Sequence, residues 1–142
     1  MNTALNRSIL LVEDNPMDVD LTKKAFTRRN LNNPIDVARD GEEALAWILR
    51  WEAGERKPSI ILLDLKLPRV DGLEVLRQLK AHPTFRTIPV VILTTSAEDR
   101  DIQTAYQLGA NSYIIKPVDF AKFMEVAEQI DSYWTVLNQP SR

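Results

Sequence analysis

The chain has 142 residues, of which 44% are hydrophobic and 27% charged, as expected for one ordinary globular domain with a buried core. A net charge of −2 gives no basic surface for nucleic acid or anionic membrane. Without cysteine there is no disulfide, thiol nucleophile or thiolate metal site, and without a signal peptide or a long apolar run we expect a cytoplasmic protein.

Strands and helices are predicted to alternate along the chain. Five short aliphatic runs predict strands, and three of them are continuously apolar, which is typical of strands buried on both faces. The predicted strands are residues 8–12, 35–38, 60–63, 89–93 and 110–115. A segment with apolar residues at helical spacing follows each one. These helices are predicted to begin after Asn15, Asp40 and Asp71, near residue 102 and near residue 119. The pattern predicts an α/β fold, a parallel sheet with helices on both faces.

Helical spacing also predicts which side chains of the helices face the core. In the second helix the predicted core stripe includes Leu49 and excludes Trp51, and in the fourth Tyr106 is one of the residues that define the helix. In the last helix Val126, Tyr133 and Val136 are predicted to lie off the stripe that covers the sheet. We therefore expect these three residues to form an interface between two copies of the chain, a homodimer.

Polar groups follow four of the predicted strands. They are Glu13 and Asp14, Asp64, Thr94, and a lysine, Lys116, expected to be exposed. The carboxyl ends of parallel strands share one edge of the sheet, so these groups are predicted to meet there. Three crowded carboxylates need a counter-charge, and oxygen ligands suit Mg²⁺. With a hydroxyl and an ammonium nearby, the group is suited to phosphoryl transfer to a carboxylate.

These segments together resemble a response-regulator receiver domain of the chemotaxis-regulator type over nearly the whole chain. The matching segments are residues 11–14, 63–68, 71–72, 89–94, 109–110 and 113–117. The resemblance implies a flavodoxin-like sheet of strand order 2-1-3-4-5 with five helices. It also implies a single receiver domain at residues 8–137, a disordered tail at 1–7, a C-terminal tail at 138–142 and no output domain.

The resemblance assigns a role to each acid. Asp64 would accept a phosphoryl group from a histidine kinase. Asp14 and Asp64 would bind Mg²⁺ or Mn²⁺ directly, Glu13 directly or through water, and the backbone carbonyl of Lys66 would be a further ligand.

The resemblance also assigns the switch. Lys116 and Thr94 would contact the phosphoryl group, and Tyr113 would move inward behind Thr94. The bulk of Thr95 predicts slow loss of the phosphoryl group. Such a protein catalyses only its own phosphorylation and dephosphorylation, is otherwise no enzyme, and signals through phosphorylation-dependent contacts with a downstream protein. Within the family, the polar insert before the third strand, residues 93–96 and the aromatic C-terminal extension resemble the phytochrome-associated single-domain regulators, which implies a phytochrome as the kinase.

Three other functions compete with this one. A Mg²⁺-dependent phosphatase with an aspartate nucleophile would carry a second aspartate where this chain has Lys66. A flavodoxin-type electron carrier would need a phosphate-binding loop after the first strand, where Glu13 and Asp14 would repel a phosphate. A receiver-like module that acts by binding alone, without phosphorylation, stays open.

Overall fold

The structure, a computed structural model, describes residues 8–117 and 119–137, with the side chains of residues 120 and 133–137 excepted. The strands are β1 (Ile9–Val12), β2 (Ile35–Ala38), β3 (Ile60–Leu63), β4 (Val90–Thr94) and β5 (Ser112–Ile115). The helices are α1 (Pro16–Arg28), α2 (Gly41–Glu52), α3 (Gly72–Ala81), α4 (Asp99–Leu108) and α5 (Phe120–Leu137). The predicted alternation is confirmed, and the described residues also contain a 3₁₀ turn at Phe85–Thr87 that the sequence pattern does not predict. No helix within the described ranges is long and apolar enough to cross a bilayer.

The five strands form one parallel sheet in the order β2-β1-β3-β4-β5. Strands β1, β3 and β4 are buried at every residue, as their uninterrupted apolar sequences require. One apolar core packs against α2, α3 and α4, and the other packs against α1 and α5. The flavodoxin-like α/β fold is therefore confirmed.

Side-chain caps fix the point at which three helices begin. The Asn15 amide oxygen accepts the backbone N–H of Met17 at 2.9 Å. Asp40 and Asp71 accept backbone N–H groups in the first turns of α2 and α3, at 2.8 and 3.1 Å. These bonds satisfy N–H groups that have no partner inside the helix. Because α1 and α2 start at caps close behind β1 and β2, the loops that join them at the carboxyl edge of the sheet are short; the loop from β3 to the cap of α3 is longer.

The predicted core stripe of α2 was wrong in part. In α2 the side chain of Leu49 is 66% exposed, whereas Trp51 is 5% exposed and its ring meets that of Phe85 edge-on, with centroids 5.4 Å apart. Trp51 lies three residues after the buried Ile48, so it shares that residue's face of the helix. In α4 Tyr106, one of the residues that predicted this helix, is 49% exposed.

Val126 is a core residue, so its predicted place at a dimer interface is wrong. It is 7% exposed and packs with the apolar side chains of β1, β3 and β4. It lies three residues after Phe123 and four before Ile130, which are both buried, and therefore belongs to their stripe. The other two predicted interface residues, Tyr133 and Val136, have side chains outside the described part of the structure.

Candidate functional site

The carboxyl edge of the sheet brings the predicted site residues together. Parallel pairing sets Val12 beside Leu63 at the ends of β1 and β3, and Thr94 beside Ile115 at the ends of β4 and β5. The residues that follow β1, β3 and β5 therefore emerge side by side around Thr94. The acids and the lysine singled out in the sequence meet at this edge.

Three carboxylates form a cluster at the middle of the edge. Glu13, Asp14 and Asp64 each offer one oxygen, and these oxygens lie within 4.8 Å of one another. Glu13 and Asp64 are 2% and 4% exposed, whereas Asp14 is exposed to solvent. An all-oxygen set of this charge fits a hard divalent cation such as Mg²⁺ or Mn²⁺. The part of the Lys66 carbonyl in such a site stays a prediction.

The side chain of Lys116 is buried in this cluster, so its predicted exposure is wrong. It is 6% exposed, and its ammonium lies 2.5 Å from Glu13, 2.8 Å from Asp64 and 2.9 Å from Asp18. The backbone of Lys116 bonds to the carbonyl of Thr94 at 2.7 Å, at the end of β4. From there the long aliphatic stem carries the charge back over the sheet edge. The lysine is an internal counter-ion of the acids.

Asp18 is a member of the cluster that the sequence analysis missed. It lies in the first turn of α1 and hydrogen-bonds to Lys116 at 2.9 Å. Side chains of a helix point back toward its N-terminus, and α1 begins directly after the acids that follow β1. An acid three residues after the Asn15 cap was the available signal.

Burial and charge set the protonation of the cluster. Burial raises the pKa of Glu13 to about 7, against the opposing hydrogen bond from Lys116 and with a further rise from the charge of Asp64. For Lys116, burial would lower the pKa, but hydrogen bonds to Asp64, Glu13 and Asp18 outweigh it and the pKa is raised. The ammonium therefore stays charged at neutral pH, where Glu13 is the carboxyl that exchanges a proton.

The backbone around Asp64 requires a glycine at position 72. A Cβ atom on Gly72 would lie 2.2 Å from the carbonyl oxygen of Asp64 and 2.5 Å from the Cα of Leu65. The N–H of Gly72 also donates to the carbonyl of Leu65 at 3.0 Å. In addition, one carboxylate oxygen of the Asp64 side chain accepts the backbone N–H of Lys66 at 3.0 Å. These contacts fix the orientation of the Asp64 carboxylate.

Thr94 and Tyr113 meet through one residue, Ser96. Thr94 is fully buried and its hydroxyl oxygen accepts the N–H of Ser96 at 3.5 Å. The Tyr113 hydroxyl donates to the carbonyl of Ser96 at 2.8 Å. Burial raises the pKa of Tyr113, against the hydrogen bond to Ser96, so the phenol stays a donor at neutral pH. The sequence analysis gave Ser96 no role.

The sequence matches the family described as the response regulator receiver domain over residues 9–128. It is 46% identical over 132 residues to the probable methanogenesis regulatory protein FilR2 of Methanothrix harundinacea, covering 92% of this chain and 85% of that protein.

Two solved structures share the fold. The phosphorylated cyanobacterial phytochrome response regulator RcpA has a TM-score of 0.85 at 37% identity, covering 92% of this chain and 94% of that one. The Mn²⁺-bound form of the response regulator Rcp1 has a TM-score of 0.82 at 35% identity, covering 90% and 94%.

Proposed function

Because the chain belongs to the response regulator receiver domain family, we propose that Asp64 accepts a phosphoryl group from a histidine kinase in the presence of Mg²⁺. The single observation that carries this proposal is the ion cluster, in which the carboxylate of Asp64 lies within reach of two further acids and the ammonium of Lys116. Membership of the receiver family favours this proposal over the phosphatase and the flavodoxin-type carrier.

In the proposed reaction an oxygen of Asp64 attacks the phosphorus of a phosphohistidine. A P–O bond forms, the P–N bond breaks, and the imidazole of the kinase leaves with the bonding electron pair. A Mg²⁺ ion held by Asp14, Asp64 and Glu13 would neutralise charge on the phosphoryl oxygens. Lys116 would move from its carboxylate partners to a phosphoryl oxygen, a charge-assisted contact. Water later attacks the phosphorus and releases inorganic phosphate.

The test is phosphate uptake from a small acyl phosphate, followed by intact mass. We expect the parent to gain one phosphoryl group in Mg²⁺ and none after chelation, and Asp64→Asn to gain none. The matched control is Asp99→Asn, which removes an exposed acid outside the cluster. Phosphoryl uptake by Asp64→Asn at the parent's rate would refute the assignment of Asp64 as the phosphoryl acceptor. A parent that never takes up phosphate, with Mg²⁺ present, would make the chain a binding-only receiver.

We propose a phytochrome as the kinase, on the likeness to RcpA. The likeness to a methanogenesis regulator points to a different signal. Phosphotransfer rates from a purified phytochrome kinase and from other histidine kinases, measured side by side, would decide between them. The proposal also includes a cytoplasmic location and no catalysis beyond the protein's own phosphorylation and dephosphorylation.

Self-association remains part of the proposal, on a different residue set from the predicted one. Tyr106 on α4 and Ile115 on β5 are each 49% exposed. We propose that a second copy covers them. Light scattering over a concentration series, with and without a phosphate mimic, should detect a dimer that Tyr106→Asp with Ile115→Asp disrupts. Leu49→Asp is the control, since Leu49 is 66% exposed on α2. A monomer at every concentration in both states would end the idea.

A further inference from the structure

One carboxylate on α4 joins the two loops that flank the phosphorylation site. An oxygen of Asp101, in the first turn of α4, accepts the hydroxyl of Ser96 at 2.6 Å. The same oxygen lies 3.8 Å from the ammonium of Lys66. Ser96 belongs to the loop between β4 and α4, and Lys66 to the loop between β3 and α3. Asp101 is therefore tied to both.

Ser96 is the point at which the position of α4 meets the switch residues. Its N–H donates to Thr94, its carbonyl accepts from Tyr113 and its hydroxyl donates to Asp101. In the described part of the chain the N-cap residue of α4, Glu98, makes no capping bond through its side chain. The Ser96 hydroxyl oxygen accepts the N–H of Glu98 at 3.4 Å instead. The start of α4 is thus held through Ser96.

Lys66 connects this anchor to the charge on Asp64. Its backbone N–H donates to an oxygen of Asp64 at 3.0 Å, and its side chain is 59% exposed on a flexible stem. A phosphoryl group on Asp64 adds negative charge two residues from Lys66, and it repels the carboxylate of Asp101 while attracting the ammonium. Phosphorylation therefore draws the lysine away from its present partner.

We propose that Asp101 is a positioning residue of the receiver. Through Ser96 it restrains Thr94 and Tyr113 in their present arrangement, and through Lys66 it is coupled to the charge on Asp64. This inference rests on the proposed phosphorylation of Asp64. Removing Asp101 frees the segment that must move toward the phosphoryl group and removes a like charge, so both effects favour the phosphorylated arrangement.

The test uses beryllium fluoride, a mimic of the phosphoryl group, titrated in Mg²⁺ and followed by the NMR signals of labelled tyrosine. Asp101→Ala should bind the mimic about three- to tenfold more tightly than the parent. In the free protein its Tyr113 signal should already be shifted toward the bound position. Asp99→Ala makes the same charge change in the same turn, at an exposed residue, and should stay within about twofold of the parent.

Two further variants separate the hydrogen bond from the charge. Asp101→Asn keeps an acceptor for Ser96 and loses the pair with Lys66, whereas Ser96→Ala breaks the hydrogen bond and keeps the charge. Each should give part of the effect of Asp101→Ala. The effects of Ser96→Ala and Asp101→Ala should fall well short of adding in the double variant, because the hydrogen bond between the two residues is lost in each single variant.

Three results would overturn the proposal. The first is an Asp101→Ala protein that binds the mimic no more tightly than Asp99→Ala. The second is full additivity in the double variant. The third result applies if Asp101→Ala does not fold. It is beryllium fluoride binding by both Asp101→Asn and Ser96→Ala that is unchanged from the parent. A parent that does not bind beryllium fluoride in Mg²⁺ contradicts the proposed function itself, and this inference falls with it. Mimic binding that is present but insensitive to Asp101 contradicts this inference alone.

Discussion

Replacing Lys116 by alanine tests whether the ion cluster stabilises the fold. The substitution removes a buried ammonium with three carboxylate partners and leaves Glu13 and Asp64, each at most 4% exposed, facing one another. Removing one partner of a buried ion pair costs about 3–5 kcal/mol. Because Glu13 can take up a proton in the variant, we expect the lower end, about 3 kcal/mol at pH 7.5. The domain should still fold, since total stabilities are about 5–15 kcal/mol.

The assay is urea denaturation in chelator and in saturating Mg²⁺. A divalent cation replaces the missing positive charge, and the more tightly it binds the folded state, the more it stabilises that state. We expect Mg²⁺ to stabilise Lys116→Ala more than the parent, because in the parent the ammonium already occupies the same carboxylates. The stability lost in Lys116→Ala relative to the parent should also be smaller at pH 5.5, where Glu13 is protonated in both proteins.

Lys66→Ala is the matched control. It removes a lysine from the same edge, but one whose side chain is 59% exposed and pairs with Asp101 at 3.8 Å. Such a pair contributes at most about 1 kcal/mol. The reasoning fails if Lys116→Ala costs no more than Lys66→Ala in chelator. It also fails if Mg²⁺ stabilises the Lys116→Ala protein and the parent equally.

Three further predictions concern the same edge. Gly72→Ala should destabilise the protein by about 1–3 kcal/mol and weaken Mg²⁺ binding measured by calorimetry, because the new Cβ would overlap the Asp64 carbonyl. The pKa of Glu13 is about 7 in the folded protein against an ordinary 4.5, so between these values the folded state holds more protons than the unfolded chain. Without Mg²⁺, the free energy of unfolding should therefore fall as the pH rises between these two pKa values. The affinity for Mg²⁺ should rise over the same range. Glu13→Gln should abolish both trends. Thr95 is exposed beside the buried Thr94 and is expected to narrow the path of the attacking water. Thr95→Ala should therefore lose its phosphoryl group faster than the parent in a decay assay. Slower loss would contradict the steric argument.

The fold was predictable because its determinants are local in the sequence. Uninterrupted apolar runs specify strands buried on both faces, and cap residues such as Asn15, Asp40 and Asp71 specify where helices begin. The errors in predicting core residues arose where the rotation of a helix about its axis decides which side chains are buried. Leu49 and Trp51 are both apolar, and only the packing of α2 on the sheet selects Trp51. Val126 was misjudged for the same reason, because a stripe around Phe123 and Ile130 is wide enough to include it.

The site was predictable in its members but not in its connections, and the difference is physical. Strand ends are set by backbone register, so four polar groups could be placed at one edge without side-chain information. Whether Lys116 lies in water or among acids depends on the path of its aliphatic stem, which no sequence pattern records. Its burial has a consequence for the chemistry. Two of the three acids that a divalent cation would use, Glu13 and Asp64, already share the ammonium of Lys116, so a bound cation or a phosphoryl group on Asp64 would have to compete with it for them. A lysine held by three carboxylates would change partner when comparable negative charge is offered nearby, and a phosphoryl group on Asp64, itself one of those partners, would offer it.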